Sequence, residues 1–255
     1  MFIDTHTHLH LITKNEKELD KVIQTCFEQN VRLLFNISVD VSSNLNNADL
    51  SEKYNGVFFT AGIHPSEADK VTPGDLRETE KVIKHNKCIG IGETGLDLFR
   101  QYASLEDQKK LFRKHIEWAL AYNKPLVIHS RDSFDQILSI LEEYVSSSLR
   151  GVFHCFSYGY EQACQCIQKG FFISFAGNLT YPKASLLQGT AKKTPLEHII
   201  LETDSPYLSP QEFRGKTNYP YYIIHTYNFL SRLLNTPINT IEKQIATNVN
   251  RLFFQ

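Results

Sequence analysis

Eight short apolar segments recur along the chain, and each of them predicts a β-strand. They cover residues 1–5, 32–38, 57–62, 88–92, 125–128, 150–154, 171–175 and 198–202. Most are nearly continuous apolar runs, which are typical of parallel strands covered on both faces. The pattern therefore indicates an α/β protein built on a parallel sheet.

Helix signals occupy the segments between these strands. Asn15 with Glu18 three residues later resembles a capping box, and Thr72 stands as an N-cap before a proline. Apolar residues at helical spacing follow both. Other amphipathic segments are opened by Ser104, Ser133, Tyr219 and Thr236. The segment opened by Ser133 has its last apolar position at Val145.

Strand and helix signals alternate in eight units, which favours a single (β/α)8 TIM barrel over a doubly wound sheet. No linker, low-complexity segment or repeat interrupts the pattern, so one domain over residues 1–255 is predicted. Helix signals are weakest in residues 177–195. In such a barrel the reaction centre lies at the carboxyl ends of the strands.

The composition is that of an ordinary globular protein, with 42% hydrophobic and 22% charged residues. A net charge of −1 gives no global basic field, so an anionic substrate would need local charges and metal ions. Five scattered cysteines favour reduced thiols in a cytosol, and Cys164-Gln165-Cys166 is best interpreted as two small residues on a helix. Without a signal peptide or an apolar run of membrane-spanning length, we predict a cytoplasmic protein with no membrane contact and no obligate protein partner.

Side chains that can bind a metal follow five of the predicted strands. His6-Thr7-His8 ends the first, and residues two apart in a strand point to the same side, so the two imidazoles are expected to aim at one point. Later strands end in Glu93, His129, His154 and Asp204. Burial of imidazoles and carboxylates costs free energy unless a metal or another partner binds them. A common metal site is therefore favoured over five unrelated polar groups at the strand ends.

Imidazoles and carboxylates without a required thiolate suit Zn²⁺, Mn²⁺ or Mg²⁺. The six residues can hold two divalent ions, or three, and Glu93 is the natural bridge because one carboxylate can bind two metals. Two ions ~3.5–4 Å apart polarise a phosphoryl oxygen and generate a hydroxide at neutral pH. Hydrolysis is therefore the predicted reaction class, with Glu93 and Asp204 as the catalytic residues.

Three further residues are candidates for contact with a substrate phosphate. His64, at the end of the third strand, is either a substrate group or a peripheral ligand. Arg131 follows His129 by two residues, and Arg214 lies in a loop after Asp204 together with Lys216. Arginine fits phosphate through two parallel hydrogen bonds. Solvated loop charges are the competing interpretation, and it is a serious one for Lys216.

A series of motifs runs in order along essentially the whole chain. They are FIDTHTH at 2–8, GIHP at 62–65, GETGLD at 92–97, VIHSR at 127–131, HCFS at 154–157, LETDSPYL at 201–208, RGK at 214–216 and NRLF at 250–253. Together they resemble the TatD-type metal-dependent deoxyribonucleases. GETGLD and LETDSPYL are highly specific, whereas HxH alone is not.

The resemblance implies a TIM barrel of the amidohydrolase type that uses divalent ions to hydrolyse DNA, from its 3′ end or internally. It carries the metal-ligand roles onto His6, His8, Glu93, His129, His154 and Asp204. Two departures bear on loop shape and substrate preference. Tyr158-Gly159 follows HCFS where the family often has glycine at once, and Ser66 stands where a second histidine often follows the IHP segment.

The mechanism expected from this reading is attack of a metal-bound hydroxide on phosphorus, with Asp204 accepting its proton and with His64, Arg131 and Arg214 holding phosphate. One alternative keeps the enzyme and changes the substrate to a small ester, amide or lactone. The other is a scaffold protein that uses metal only for stability, which the open coordination positions expected of a hydrolytic site argue against.

Overall fold

The computed structural model describes residues 1–100, 102–144 and 148–255. Its eight strands are β1 (Phe2–Thr7), β2 (Val31–Ile37), β3 (Val57–Ala61), β4 (Cys88–Asp97), β5 (Leu126–Arg131), β6 (Gly151–Phe153), β7 (Phe171–Phe175) and β8 (Ile199–Leu201). All of them belong to one sheet in the sequential order β1 to β8, and the pairings are parallel. Eight sequential parallel strands separated by helices are the topology of a (β/α)8 barrel, as the sequence predicted.

Ten α-helices lie in the described part of the chain. They are α1 (Leu9–Ile12), α2 (Glu16–Glu28), α3 (Val41–Lys53), α4 (Pro73–Ile83), α5 (Leu105–Tyr122), α6 (Phe134–Glu142), α7 (Tyr160–Gln168), α8 (Ser185–Lys193), α9 (Ile223–Leu234) and α10 (Ile238–Phe253). Short 3₁₀ turns occupy Pro65–Glu67, Gly177–Thr180, Leu196–His198, Gln211–Phe213 and Pro220–Tyr222.

The helix predictions are confirmed at most starts. Asn15 caps α2 by accepting from two backbone amides, while Glu18 accepts instead from the Thr13 hydroxyl, so the reciprocal half of the predicted capping box is replaced. Thr72 caps α4 in a full capping box, and Ser104 caps α5. Cys164 and Cys166 lie on α7, as expected. Val145 lies outside the described residues.

The chain divides into two compact units, residues 1–36 with 155–255 and residues 37–154. The prediction of one domain over residues 1–255 stays a prediction. In the first unit β1 pairs with β2, and β7 pairs with β8. The segment after β8 is hydrogen-bonded to β1 and the residue that follows it. The Asp204 amide donates to His6 O at 2.8 Å, and the His8 amide donates to Ser205 O at 2.8 Å.

In the second unit β3, β4, β5 and β6 pair in sequence. Glycines bring the backbones of β4 and β5 unusually close. A Cβ on Gly95, whose φ is +134°, would lie 2.1 Å from the carbonyl oxygen of His129, and one on Gly92 would lie 2.5 Å from that of Val127. Only glycine fits these positions. The strand ends that carry Glu93 and His129 are therefore held in register by close backbone packing.

None of the helices described here is long and apolar enough to cross a membrane.

Candidate metal centre

The first unit brings three of the predicted ligands together at the carboxyl end of β1. His6 and His8 are buried, and their Nε2 atoms lie 3.2 Å apart. Asp204 Oδ1 is 3.6 Å from Nε2 of His6 and 3.4 Å from Nε2 of His8. The alternation of side chains along β1 thus has the predicted effect, and the carboxylate of Asp204 completes a group of three N/O donors.

Asp204 is held by the loop that follows β8. Its φ is +56°, a left-handed conformation that aspartate tolerates better than most residues. The hydroxyls of Thr7 and Ser205 are 2.6 Å apart beside it. A strained backbone conformation fixed by its surroundings is common at functional sites.

Glu202 belongs to the same group, although sequence reasoning did not single it out. Its Oε2 lies 3.9 Å from Nδ1 of His6, and its Oε1 accepts from the backbone amide of Cys155. The side chain is buried. Its place in the LETDSPYL motif was the feature of the sequence that could have pointed to Glu202. Glu202 lies on the Nδ1 side of the His6 ring, whereas Asp204 lies on its Nε2 side.

The second unit gathers the other predicted ligands around the buried carboxylate of Glu93. Glu93 Oε1 is 2.8 Å from Nδ1 of His129 and 2.8 Å from Nε2 of His154. Nε2 of His64 lies 3.6 Å from the same oxygen. Ligand atoms of His64, Glu93 and His129 all lie within 4.8 Å of one another.

Asp97 is a second functional residue that sequence reasoning missed, although it ends the GETGLD motif. Its Oδ2 lies 3.2 Å from Nε2 of His129, and its Oδ1 accepts from the amides of Phe99 and Arg100. Burial acts to raise the pKa of Asp97, but the bonds from His129 and these amides outweigh it and lower the pKa to about 2. For His129, burial acts to lower the pKa, and the contacts with Asp97 and Glu93 prevail and raise it.

His64 is oriented by its own 3₁₀ turn. The backbone amide of Ser66 donates to His64 Nδ1 at 3.1 Å, and the Ser66 hydroxyl lies 2.8 Å from the same nitrogen. Because an amide can only donate, Nδ1 is unprotonated and a neutral His64 carries its hydrogen on Nε2. Nε2 is therefore a hydrogen-bond donor on the side that faces Glu93.

Of the predicted phosphate contacts, Arg131 lies beside the second group and Arg214 packs on an aromatic ring of the first unit. Arg131 is the register partner of Asp97, and its guanidinium carbon packs 4.9 Å from the ring centroid of Phe99. Arg214 packs on the Tyr181 ring at 4.5 Å, and Lys216 is exposed. Both arginines are exposed, and their part in phosphate binding stays a prediction.

Divalent ions fit the donor sets of both units. Each set consists of imidazole nitrogens and carboxylate oxygens, which are the ligands of Zn²⁺ and Mn²⁺, and of Mg²⁺ in its carboxylate part. Glu93, His6 and His154 are almost wholly buried, so their charges and ring nitrogens need close partners. The number and identity of the ions stay predictions.

The comparisons with known proteins agree with this chemistry. A family model described as TatD related DNase matches residues 3–254. The chain belongs to the TatD family of metal-dependent hydrolases. It is 32% identical to a metal-dependent hydrolase of Buchnera aphidicola over 98% of both chains, and 30% identical to the metal-dependent hydrolase YabD of Bacillus subtilis over 99% of both.

A solved structure agrees at the level of the fold. The TatD homologue YjjV of Escherichia coli superposes with a TM-score of 0.93 at 27% identity, covering 99% of this chain and 97% of its own. The predicted TatD resemblance and the (β/α)8 fold are thereby confirmed. As a TatD-family protein, the chain is a metal-dependent hydrolase.

Proposed function

We propose that this TatD-family hydrolase is a deoxyribonuclease that cleaves phosphodiester bonds in DNA, with 3′–5′ exonuclease character. The observation that carries the proposal is the buried carboxylate of Glu93 in contact with two imidazoles, beside a third that presents an Nε2 donor. Such a group suits metal-assisted hydrolysis of an anionic ester. The description of the matching family as DNases supports DNA as the substrate.

The proposed metal ligands are His6, His8 and Asp204 in the first unit and Glu93, His129 and His154 in the second. Divalent ions bound there would polarise a phosphoryl oxygen and activate water for attack. Asp97 orients His129 through Nε2 of that ring, and the carboxylate of Glu202 lies near Nδ1 of His6.

The protein's own groups supply the remaining steps. Asp204 accepts the proton of the attacking water, since its carboxylate lies beside His6 and His8 and its side chain is 14% exposed to solvent. His64 donates from Nε2 to a phosphate oxygen, because Ser66 holds its other nitrogen as an acceptor. Arg131 and Arg214 add guanidinium donors to adjacent phosphates. The five scattered cysteines of the sequence support a reducing, cytoplasmic location.

The test is hydrolysis of 5′- and 3′-labelled single- and double-stranded DNA with Mg²⁺, Mn²⁺ or Zn²⁺, alongside simple carboxylic esters, lactones and amides. We expect DNA products that shorten from the 3′ end and little turnover of the small substrates. Efficient turnover of a small ester without cleavage of DNA would overturn the assignment, and the absence of any turnover with bound metal would favour a structural role.

A further inference from the structure

Two large aromatic side chains stand in solvent just beyond the carboxyl end of β4. Phe99 is 59% exposed and Tyr102 is 63% exposed. Single exposed hydrophobic side chains are ordinary on protein surfaces, so the neighbours of these two rings decide what they can bind. Arginines flank the first ring, with the guanidinium carbon of Arg131 4.9 Å and that of Arg100 5.9 Å from its centroid. We call Phe99, Arg100, Tyr102 and Arg131 the aromatic platform.

The carboxylate of Asp97 links the platform to the candidate metal centre. Asp97 Oδ1 accepts from the amide of Phe99 at 3.0 Å and from that of Arg100 at 2.7 Å, while its Oδ2 lies 3.2 Å from Nε2 of His129. The Leu98 amide also donates to Arg131 O at 2.9 Å. The backbone that carries Phe99 is thus fixed to the ligand His129 through one residue.

The combination of an exposed ring and guanidinium groups matches the two parts of a nucleotide. A base has a flat π face that stacks on an aromatic side chain whatever its sequence, and a phosphate accepts from guanidinium N–H groups. A guanidinium above a ring keeps its N–H donors in its own plane, so Arg131 can pack on Phe99 and still bind a phosphate. The net charge of −1 makes such a local arrangement necessary for holding DNA.

We propose that Phe99 stacks on the base of a nucleotide next to the phosphate that is hydrolysed, with Arg131 binding the adjoining phosphate and Tyr102 a second stacking surface. This inference rests on the proposed nuclease function and adds a base-binding subsite to it. The subsite recognises a nucleobase by its face and not by its edge, so it is indifferent to sequence. Its occupant is an unstacked base of the substrate strand.

The test compares two oligomers of equal length and charge, an oligothymidylate and a deoxyribose-phosphate chain whose sugars carry no base. Binding is measured by fluorescence anisotropy with chelator, and hydrolysis is measured with Mg²⁺ or Mn²⁺. The wild-type chain should prefer the oligomer that carries bases. Phe99→Ala should reduce that preference by roughly fivefold to a hundredfold, the range for loss of one base stack, and Phe99→Trp should retain it.

Two variants serve as controls. Tyr54→Ala removes a ring with Lys53 Nζ 5.4 Å above it, but this pair precedes β3 and so lies at the opposite end of the strands from Phe99. It should leave the base preference unchanged. Arg131→Ala should weaken binding of both oligomers together and lessen the salt dependence of binding, because phosphate contacts act on both.

Equal binding of the two oligomers by the wild-type chain, or a base preference that survives in folded Phe99→Ala, would overturn the inference. The proposed function fails on a separate result, the absence of DNA hydrolysis with any of the metals. A preference that depends on Phe99 without hydrolysis would therefore support the subsite and refute the nuclease.

Discussion

In the described part of the second unit, one oxygen of the Glu93 carboxylate has three imidazole nitrogens within 3.6 Å. One oxygen touches His129 and His154 at 2.8 Å, and Nε2 of His64 lies at 3.6 Å. The negative charge on this oxygen attracts the nearby nitrogens of all three imidazoles. Removal of its charge should disturb the whole group while leaving the sheet beneath it unchanged.

Glu93→Gln should lower hydrolysis by at least about a hundredfold, since even a residue that only orients a metal ligand typically contributes 10- to 100-fold. Metal content, measured by elemental analysis, should fall with the rate, and circular dichroism should stay the same. Glu106→Gln is the matched control, because that side chain is 82% exposed on α5. Full metal content and normal rate in Glu93→Gln would remove this residue from the centre of the mechanism.

His64 is predicted to act as a donor and not as a metal ligand. In His64→Ala, kcat/KM for DNA should fall roughly ten- to a hundredfold, as expected for one hydrogen bond to a charged group worth ~1.5–3 kcal/mol. His64→Gln should recover much of this loss, because its side-chain amide can donate from nearly the same position. Metal content should match the wild type in both variants, and a drop in either would identify His64 as a ligand.

The clustering of the candidate ligands could be predicted from the sequence, because these residues follow the ends of recognisable strands. His6 and His8 needed only the alternation of a strand. Asp97 and Glu202 were not found, since their roles depend on contacts with His129 and His6, 32 and 196 residues away in the chain. The packing of Arg131 on Phe99 could not be predicted either. Phe99 lies in the loop after β4 and Arg131 ends β5, and no sequence periodicity relates a loop residue to the next strand.

At the scale of elements, the buried His115 of α5 forms a hydrogen bond with the chain just after β3. Nε2 of His115 accepts from the amide of Ile63, the residue before His64, and Nδ1 lies 2.8 Å from Leu111 O. Burial lowers the pKa of His115 to about 4 from its ordinary 6.5. The neutral ring is thus part of the folded structure.

This contact predicts a specific loss of stability in mild acid. Between pH 6.5 and 4 the unfolded chain protonates His115 and the folded chain does not, so the stabilisation present above pH 6.5 is lost as the pH falls. The difference corresponds to about 3 kcal/mol. Urea unfolding from pH 7 to 4 should therefore show a shallower decline for His115→Gln than for the wild type, and parallel curves would refute this role.

The strands were easier to predict than the helices. All eight predicted strands are found, and β4 extends further than its apolar run because it continues through GETGLD. Helix α3 gave no signal, because its buried side chains are Ser43, Asn44, Asn47 and Ser51. Asn44 accepts from the Gly62 amide, and Asn47 donates to the Ser38 hydroxyl. A helix that packs through hydrogen bonds leaves no trace in a hydrophobic pattern.

At the scale of the whole molecule, the core is formed by apolar side chains of the sheet and helices, so folding should not depend on metal. In both units the strands and most of the helices bury aromatic and aliphatic residues, whereas α3 buries polar ones. Treatment with chelator should abolish hydrolysis, and the far-ultraviolet circular dichroism should be retained, unlike that of a small zinc domain. Collapse of the spectrum on chelation would instead indicate a structural metal.

The contact between β1 and the segment after β8 has a consequence for the order of events during synthesis. The carboxylate of Asp4 accepts from the amide and hydroxyl of Thr203, 199 residues further along the chain. His6 and His8 therefore leave the ribosome long before Asp204, Glu202 and the loop that hold them in place. In a growing chain, His6 and His8 can meet the carboxylate of Asp204 only after the segment that follows β8 has been synthesised and has paired with β1.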